Sequence, residues 1–208
     1  MLFVFGEKVH GAEVDAGQRD CGVCGRTTSF RRVIETNYFC IFGLRLLPIE
    51  RVADYLECSQ CGNAFTDASD IPAHLPIVQR GITYLLLGYG MHEHRDVAQD
   101  IGKKVTGFEF TAEELTGLIR SMDAGDEEFF ESLRRSAATM NIRGKEQVIA
   151  AAFLMTHASC EIQYEDRLRI NLMGNALGLS LAFVGECIEH VRRKGYFGVR
   201  RILQTQIV

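Results

Sequence analysis

Cys21-Gly22-Val23-Cys24-Gly25 and Cys58-Ser59-Gln60-Cys61-Gly62 are two copies of one pattern, C-x-x-C-G, with 33 residues between the cysteine pairs. A C-x-x-C turn puts both sulfurs on the same side of a tight bend. A glycine after it can take the positive φ that lets backbone N–H groups point at the thiolates. Two such knuckles brought together make a tetrahedral four-cysteine site, the geometry of structural Zn²⁺. The separation exceeds the roughly 15–20 residues of many such sites, and a long two-stranded hairpin accounts for the excess. The expected metal ligands are therefore Cys21, Cys24, Cys58 and Cys61, with Zn²⁺ as a structural cofactor. Two redox C-x-x-C motifs are the competing reading, but they call for a βαβ setting that residues 1–68 do not offer. Four thiolates leave no open position for substrate, so neither a catalytic zinc nor an enzyme is expected. Zinc and four thiolates carry a formal charge of about −2. Arg26, Arg31 and Arg32 lie close enough in sequence to offset it, or simply sit on a solvated strand.

Around these knuckles, residues 1 to about 68 look β-rich and irregular. Phe3 and Phe5 alternate with Leu2 and Val4. Tyr38-Phe39-Cys40-Ile41-Phe42 is an aromatic and β-branched run ending at Gly43, and Arg51 to Cys58 forms a third candidate strand after Pro48. Segments this short bury little apolar surface, and a fold of this size needs a metal or disulfide staple. Near Thr66-Asp67-Ala68-Ser69-Asp70-Ile71-Pro72 the composition shifts to turn residues, a natural boundary.

Beyond that boundary the apolar spacing is helical. Leu115, Leu118, Ile119 and Met122 fall at i, i+3, i+4 and i+7 behind a capping box of Thr111 and Glu114. Val184, Cys187, Ile188 and Val191 repeat the spacing, with Leu181 one turn earlier. Phe129, Phe130 and Leu133 supply another face, and Val148, Ala152 and Met155 a further one, flanked by Ile149 and Phe153. Ile82–Met122 and Val148–Val191 follow the same course, through Gly107-Phe108 and Gly178-Leu179, as an imperfect repeat. Its period exceeds the roughly 20–50 residues of solenoids, so an all-α bundle is expected.

The 208 residues are 47% hydrophobic and 24% charged, with three prolines and a net charge of −4, which excludes a disordered chain, a collagen-like repeat and a strongly basic nucleic-acid binder. Residues 1–70 carry seven basic against ten acidic side chains, which argues against RNA. The start Met1-Leu2-Phe3-Val4-Phe5 lacks the basic residues of a signal peptide. The run Ile82–Met91 is shorter than the roughly 20 residues that span a bilayer. A reducing cytoplasm is the expected location, where cysteines serve as ligands rather than disulfides.

Other residues offer weaker chemistry. Cys40, Cys160 and Cys187 form no close pair and read as small buried hydrophobes. His92 and His94 would point apart on a helix, and His157 lies one turn from Glu161. Asp123, Asp126, Glu127, Glu128 and Glu131 could hold a cation or favour a helix N-terminus. Arg192 to Arg201 has five basic residues, two aromatics and no acid, a segment for RNA, an acidic partner or lipid headgroups, or a basic helix end.

On these residues, the N-terminal part resembles a small bacterial zinc-ribbon family. Its apolar opening corresponds to Phe3-Val4-Phe5-Gly6, followed by Cys21 to Cys24, an aromatic strand into Phe42-Gly43-Leu44-Arg45-Leu46-Leu47-Pro48, and Cys58 to Gly62. The segment from Lys145-Glu146-Gln147 through Glu165-Asp166-Arg167 to Leu177-Gly178-Leu179-Ser180 looks like the TerB-like (tellurite-resistance B) helical domain. Ala158-Ser159-Cys160 stands where that family has Ala-Asp-Gly, which removes an acidic ligand. The second resemblance implies an all-helical, cytoplasmic, non-enzymatic domain tied to metal or stress responses at the membrane.

The expectation is an α+β chain in two parts: a zinc ribbon over 1–68, a TerB-like helical bundle over 72–196 and a basic C-terminal tail over 197–208. The expected role is a zinc-binding interaction or scaffold protein in metal or oxyanion stress response. It would meet a protein partner, with no nucleic acid and no membrane span, while peripheral membrane association stays open. The alternatives are a divalent-cation or stress sensor using acidic helical residues, and an RNA-binding ribbon protein.

Overall fold

A β-meander fills the gap between the cysteine pairs. In the computed structural model, which describes residues 5–42, 44–122 and 126–202, β1 (Phe5–Cys21) pairs antiparallel with β2 (Arg26–Ile41). β2 pairs with β3 (Leu44–Cys58), and β3 with the two-residue β4 (Ala64–Phe65), in sheet order β1-β2-β3-β4. Alternating strand direction puts the β1–β2 and β3–β4 turns at the same end of the sheet. Those two turns are the knuckles.

The strands run further than the aromatic and β-branched segments suggest. β1 includes the polar stretch Gly11 to Asp20, which pairs with β2 through Glu13↔Val33 and Asp20↔Thr27. Strand pairing here overrides weak intrinsic propensity, as it does where a ribbon is solvated and carries no strict alternation. A bulge between Asp15 and Gln18 accommodates Gly17 at φ +77°, and its N–H donates to Asp15 Oδ1 at 2.9 Å. Phe3 and Val4, where the sequence begins a strand, lie outside the described residues, as does Gly43.

β3 is bulged three times. Its register skips Val52, Ile49 and Leu46 between successive partners of Glu35/Thr36, Asn37/Tyr38 and Phe39/Cys40. Each extra residue reverses the in–out alternation beyond it. Leu44, Leu46, Leu47 and Ile49 lie in the part of β3 that is exposed on both faces, together with Phe42 at the turn.

At the knuckle end of the sheet, Cys21, Phe30, Leu56, Cys58 and Phe65 form one buried cluster with Ala16, Val23, Cys24 and Cys61 against it. Phe30 and Phe65 meet edge to face at 5.6 Å. The cysteines are part of the core rather than an ornament on it.

By its contacts the chain divides into two units, Met1–Ala73 with Ser136–Gly144, and His74–Arg135 with Lys145–Val208. In the first unit the segment 136–144 joins the ribbon, and Asp54 N–H donates to the Ala138 carbonyl at 2.8 Å.

The helices are α1 (Leu75–Gly88), α2 (Arg95–Thr106), α3 (Ala112–Ser121), α4 (Asp126–Ala137), α5 (Ile142–Ser159), α6 (Tyr164–Ala176) and α7 (Leu181–Arg193); the end of α4 and the start of α5 fall in the first unit and the rest make up the second. Val148 through Met155 of α5 are all buried, so this helix is apolar all round and forms the core. The capping box of Thr111 and Glu114 starts α3. Val184, Cys187, Ile188 and Val191 of α7 are buried as their spacing requires, whereas Leu181, in the first turn, is exposed.

The expected repeat has a physical counterpart. α2 ends on left-handed Gly107 before Thr111 caps α3, and α6 is followed by left-handed Gly178 before Ser180 caps α7. A Cβ on Gly102 of α2 would run into the Phe110 ring, and one on Gly174 of α6 into the Val184 side chain. In both halves a glycine on the first helix thus makes room for a large apolar side chain a few residues further along the chain.

Past α7, Gly195-Tyr196-Phe197-Gly198 all take positive φ between 50° and 63°, a single left-handed turn. Tyr196 stacks on His157 at 3.8 Å, Ile202 N–H donates to the Ala158 carbonyl at 2.7 Å, and Arg201 Nη2 to that of Cys160 at 3.1 Å. The start of the basic tail is therefore docked on α5. Residues 203–208 of that tail lie outside the described residues. No single helix among the described residues is long and apolar enough to cross a membrane.

Candidate metal centre

Both knuckles have the same backbone. Gly25 N–H donates to the Cys21 carbonyl and Gly62 N–H to the Cys58 carbonyl, each at 2.9 Å. Gly25 (φ +64°) and Gly62 (φ +67°) occupy the left-handed region that closes such a turn, the conformation their place after C-x-x-C requires.

The four sulfurs of Cys21, Cys24, Cys58 and Cys61 all lie within 4.8 Å of one another. Cys21 Sγ is 3.8 Å from Cys61 Sγ, and Cys24 Sγ is 3.9 Å from Cys58 Sγ. Metal–sulfur bonds of about 2.3 Å at tetrahedral angles would place sulfurs roughly 3.8 Å apart. The donor set, its number and its spacing fit a metal ion and are compatible with zinc. Among the described residues this is the one group of three or more Cys, His, Asp or Glu gathered in that way.

The surroundings make the sulfurs unequal. Burial pushes the Cys24 thiol up to about 12, aided by its hydrogen bonds with Cys21, Cys61 and Cys58. Burial also raises Cys61, against hydrogen bonds from the N–H and side chain of Asn63. For Cys58 burial again acts upward, but the Thr28 hydroxyl, 3.1 Å from Sγ, and the N–H groups of Cys61 and Gln60 outweigh it and bring the thiol to about 6. Four thiolates at these separations repel one another unless a cation sits among them.

The second knuckle has two holders that the cysteine pattern does not reveal. Asn141 Nδ2 donates to the Gly62 carbonyl at 2.8 Å, and Arg143 Nη1 to the Cys61 carbonyl at 3.0 Å. The one available signal in the sequence is an asparagine suited to capping a helix. Beneath the first knuckle, a Cβ on Gly22 would collide with the Asp70 carbonyl, so the position accepts glycine alone without movement of the backbone.

The arginines near the first pair have other tasks. Arg31 bridges Glu13 and Glu57, and Arg32 holds Asp54 at 2.7 Å and reaches Asp67. Arg26 is exposed and lines an open polar groove with Thr27, Thr28, Ser29, Ser59 and Gln60.

The remaining candidates lie elsewhere. Cys40 is buried in β2, with Sγ toward the Tyr38 carbonyl, and Cys187 is buried in α7, where burial lifts its thiol to about 11. Cys160 sits beside the Asp166 carboxylate, which also accepts from the Tyr89 hydroxyl at 2.6 Å and from Gln163 N–H at 2.9 Å. His92 and His94 belong to the turn before α2, not to a helix. Glu131 pairs with Arg134 and Glu128 with Arg80, while Asp123 lies outside the described residues.

No protein-family model matches the chain, and neither a curated protein nor a solved structure matches it.

Proposed function

We propose that the chain is a zinc-binding, non-enzymatic interaction protein in which Zn²⁺ on Cys21, Cys24, Cys58 and Cys61 staples a ribbon whose own core is too small to stand alone. The observation that carries this reading is the sulfur spacing of 3.8 and 3.9 Å across the two knuckles. A four-thiolate site is closed, and its role is structural. Thiolate ligands suit a reducing compartment, which supports the cytoplasm as the proposed location. A binding role for the rest is supported by Phe42, Leu44 and Leu47, large apolar residues left exposed around one turn. The helical unit, with its two glycine-mediated halves, is a TerB-like domain serving a metal or oxyanion stress response through a protein partner.

Metal analysis of the purified full chain tests the first part. One zinc per chain is expected, and Co²⁺ in its place should give the absorption of a tetrahedral thiolate site. Cys58→Ser should lose both. Normal zinc content in that variant overturns the assignment. Affinity capture from the native host, with and without the exposed Phe42 and Leu44 replaced by Ser, tests the partner.

A further inference from the structure

Asn141 stands at the first turn of α5 and is 9% exposed. Its two amide atoms face different structures. Oδ1 accepts the Gly144 N–H at 2.9 Å, the bond of a helix N-cap to its third residue. Nδ2 donates at 2.8 Å to the carbonyl of Gly62, the residue that closes the second knuckle. Two residues on, Arg143 Nη1 donates at 3.0 Å to the carbonyl of Cys61, itself a candidate ligand. Consecutive carbonyls of one metal loop are thus held by one helical turn, although about 80 residues of chain separate them. These groups all belong to the first unit, of which 136–144 is a part.

A planar amide cannot keep both bonds unless both partners stay in place. If the second knuckle opens, Nδ2 is left without an acceptor in a largely buried position, a cost that favours turning the amide and releasing Gly144. If the cap is lost, the Gly62 carbonyl loses its donor and the loop carrying Cys58 and Cys61 is freer to spread. From this juxtaposition we propose that Asn141 is a positioning residue for the metal centre, and that it couples zinc occupancy to the order of the first turn of α5. The proposal rests on the zinc reading above. Coupling of this kind is reciprocal: whatever factor zinc gives to the closed cap, the closed cap returns to zinc affinity.

The test uses the full chain and two measurements. Zinc affinity is read by competition with a chromophoric chelator for wild type, Asn141→Ser and Asn141→Ala. Serine keeps a cap for Gly144 but cannot reach Gly62, so both variants are expected to bind zinc about tenfold more weakly, the usual effect of removing a group that orients a ligand. Amide exchange of Gly144 in the wild type, with zinc and after chelation, needs no variant; it should speed up at least tenfold on chelation. Equal zinc affinity in Asn141→Ser and wild type, or exchange at Gly144 indifferent to zinc, overturns the coupling. A wild-type chain that takes up no zinc at all overturns the zinc reading itself, before any variant is made.

Discussion

Cys21 Sγ lies 3.8 Å from Cys61 Sγ, although 40 residues separate them in the chain. With Cys24 and Cys58 similarly opposed at 3.9 Å, each knuckle meets the other sulfur by sulfur. The pairing brings the β1–β2 turn against the β3–β4 turn, so the zinc proposed above would tie both at once and its removal should not loosen one without the other.

Stripping zinc from the full chain is expected to abolish amide protection throughout β1–β4 and also in the segment 136–144, which lies far along the sequence but packs in the same unit. The amides of α1–α3, α6 and α7 should keep theirs. Hydrogen exchange resolved by peptide checks this, and retained protection in β2 and β3 would contradict it.

Thr28→Val removes the hydroxyl that stabilises the Cys58 thiolate from 3.1 Å. Loss of a hydrogen bond to a charged group costs about 1.5 kcal/mol or more, so zinc affinity should fall roughly tenfold near neutral pH. Thr28→Ser should retain most of it. Chelator competition measures both. An unchanged affinity in the valine variant would deny the hydroxyl this role.

The four-cysteine cluster was legible because it is written in chemically unusual residues at fixed spacing, and two C-x-x-C-G units name all four sulfurs. The buried face of α7 was legible for a similar reason: period and burial agree at Val184, Cys187, Ile188 and Val191. β1 was not, because Gly11 to Asp20 becomes a strand through pairing with β2 and through no preference of its own. The end of β3 was hidden by its bulges, which break the alternation that marks a half-buried strand. Asn141 and Arg143 act through backbone carbonyls distant in sequence, and nothing local marks them as neighbours of a metal loop.

Gly102→Ala and Gly174→Ala should each destabilise the helical unit by about 1–2 kcal/mol. The added methyl meets the buried Phe110 or Val184, and overpacking outweighs the gain in helix propensity. Gly117→Ala, at an exposed position of α3 with open space around it, should stabilise by about 0.5–1 kcal/mol. Thermal unfolding of the three variants checks whether the signs differ.

Asp54 is held below its ordinary value, first by the Arg32 hydrogen bonds and, against its burial, by the charges of Arg32 and Arg51. A carboxyl depressed in the folded state stabilises at pH above its unfolded value and loses that contribution as pH falls through the folded one. Asp54→Asn should therefore destabilise the ribbon unit by about 1 kcal/mol at neutral pH and by progressively less below about pH 4. Denaturant unfolding across that range is the measurement.

Burial, aided by Glu57 and Glu35, pushes the Tyr55 hydroxyl up to about 12. Its contribution to stability is complete below pH 10, the unfolded value, and is lost as pH rises from 10 toward 12. Tyrosinate absorbance at alkaline pH should show a late-titrating group that disappears in Tyr55→Phe.

The three bulges of β3 also bear on how the chain behaves in a crowded solution. A straight strand carrying Leu44, Leu46, Leu47 and Ile49 in the open would be a template on which further chains could zip into fibrils. Skipped residues at Leu46, Ile49 and Val52, with Pro48 among them supplying no N–H, bend that margin and interrupt its ladder. Leucines left in water on that margin thus sit beside an interrupted ladder, and shortening β3 by the bulged Ile49 would remove one of those interruptions.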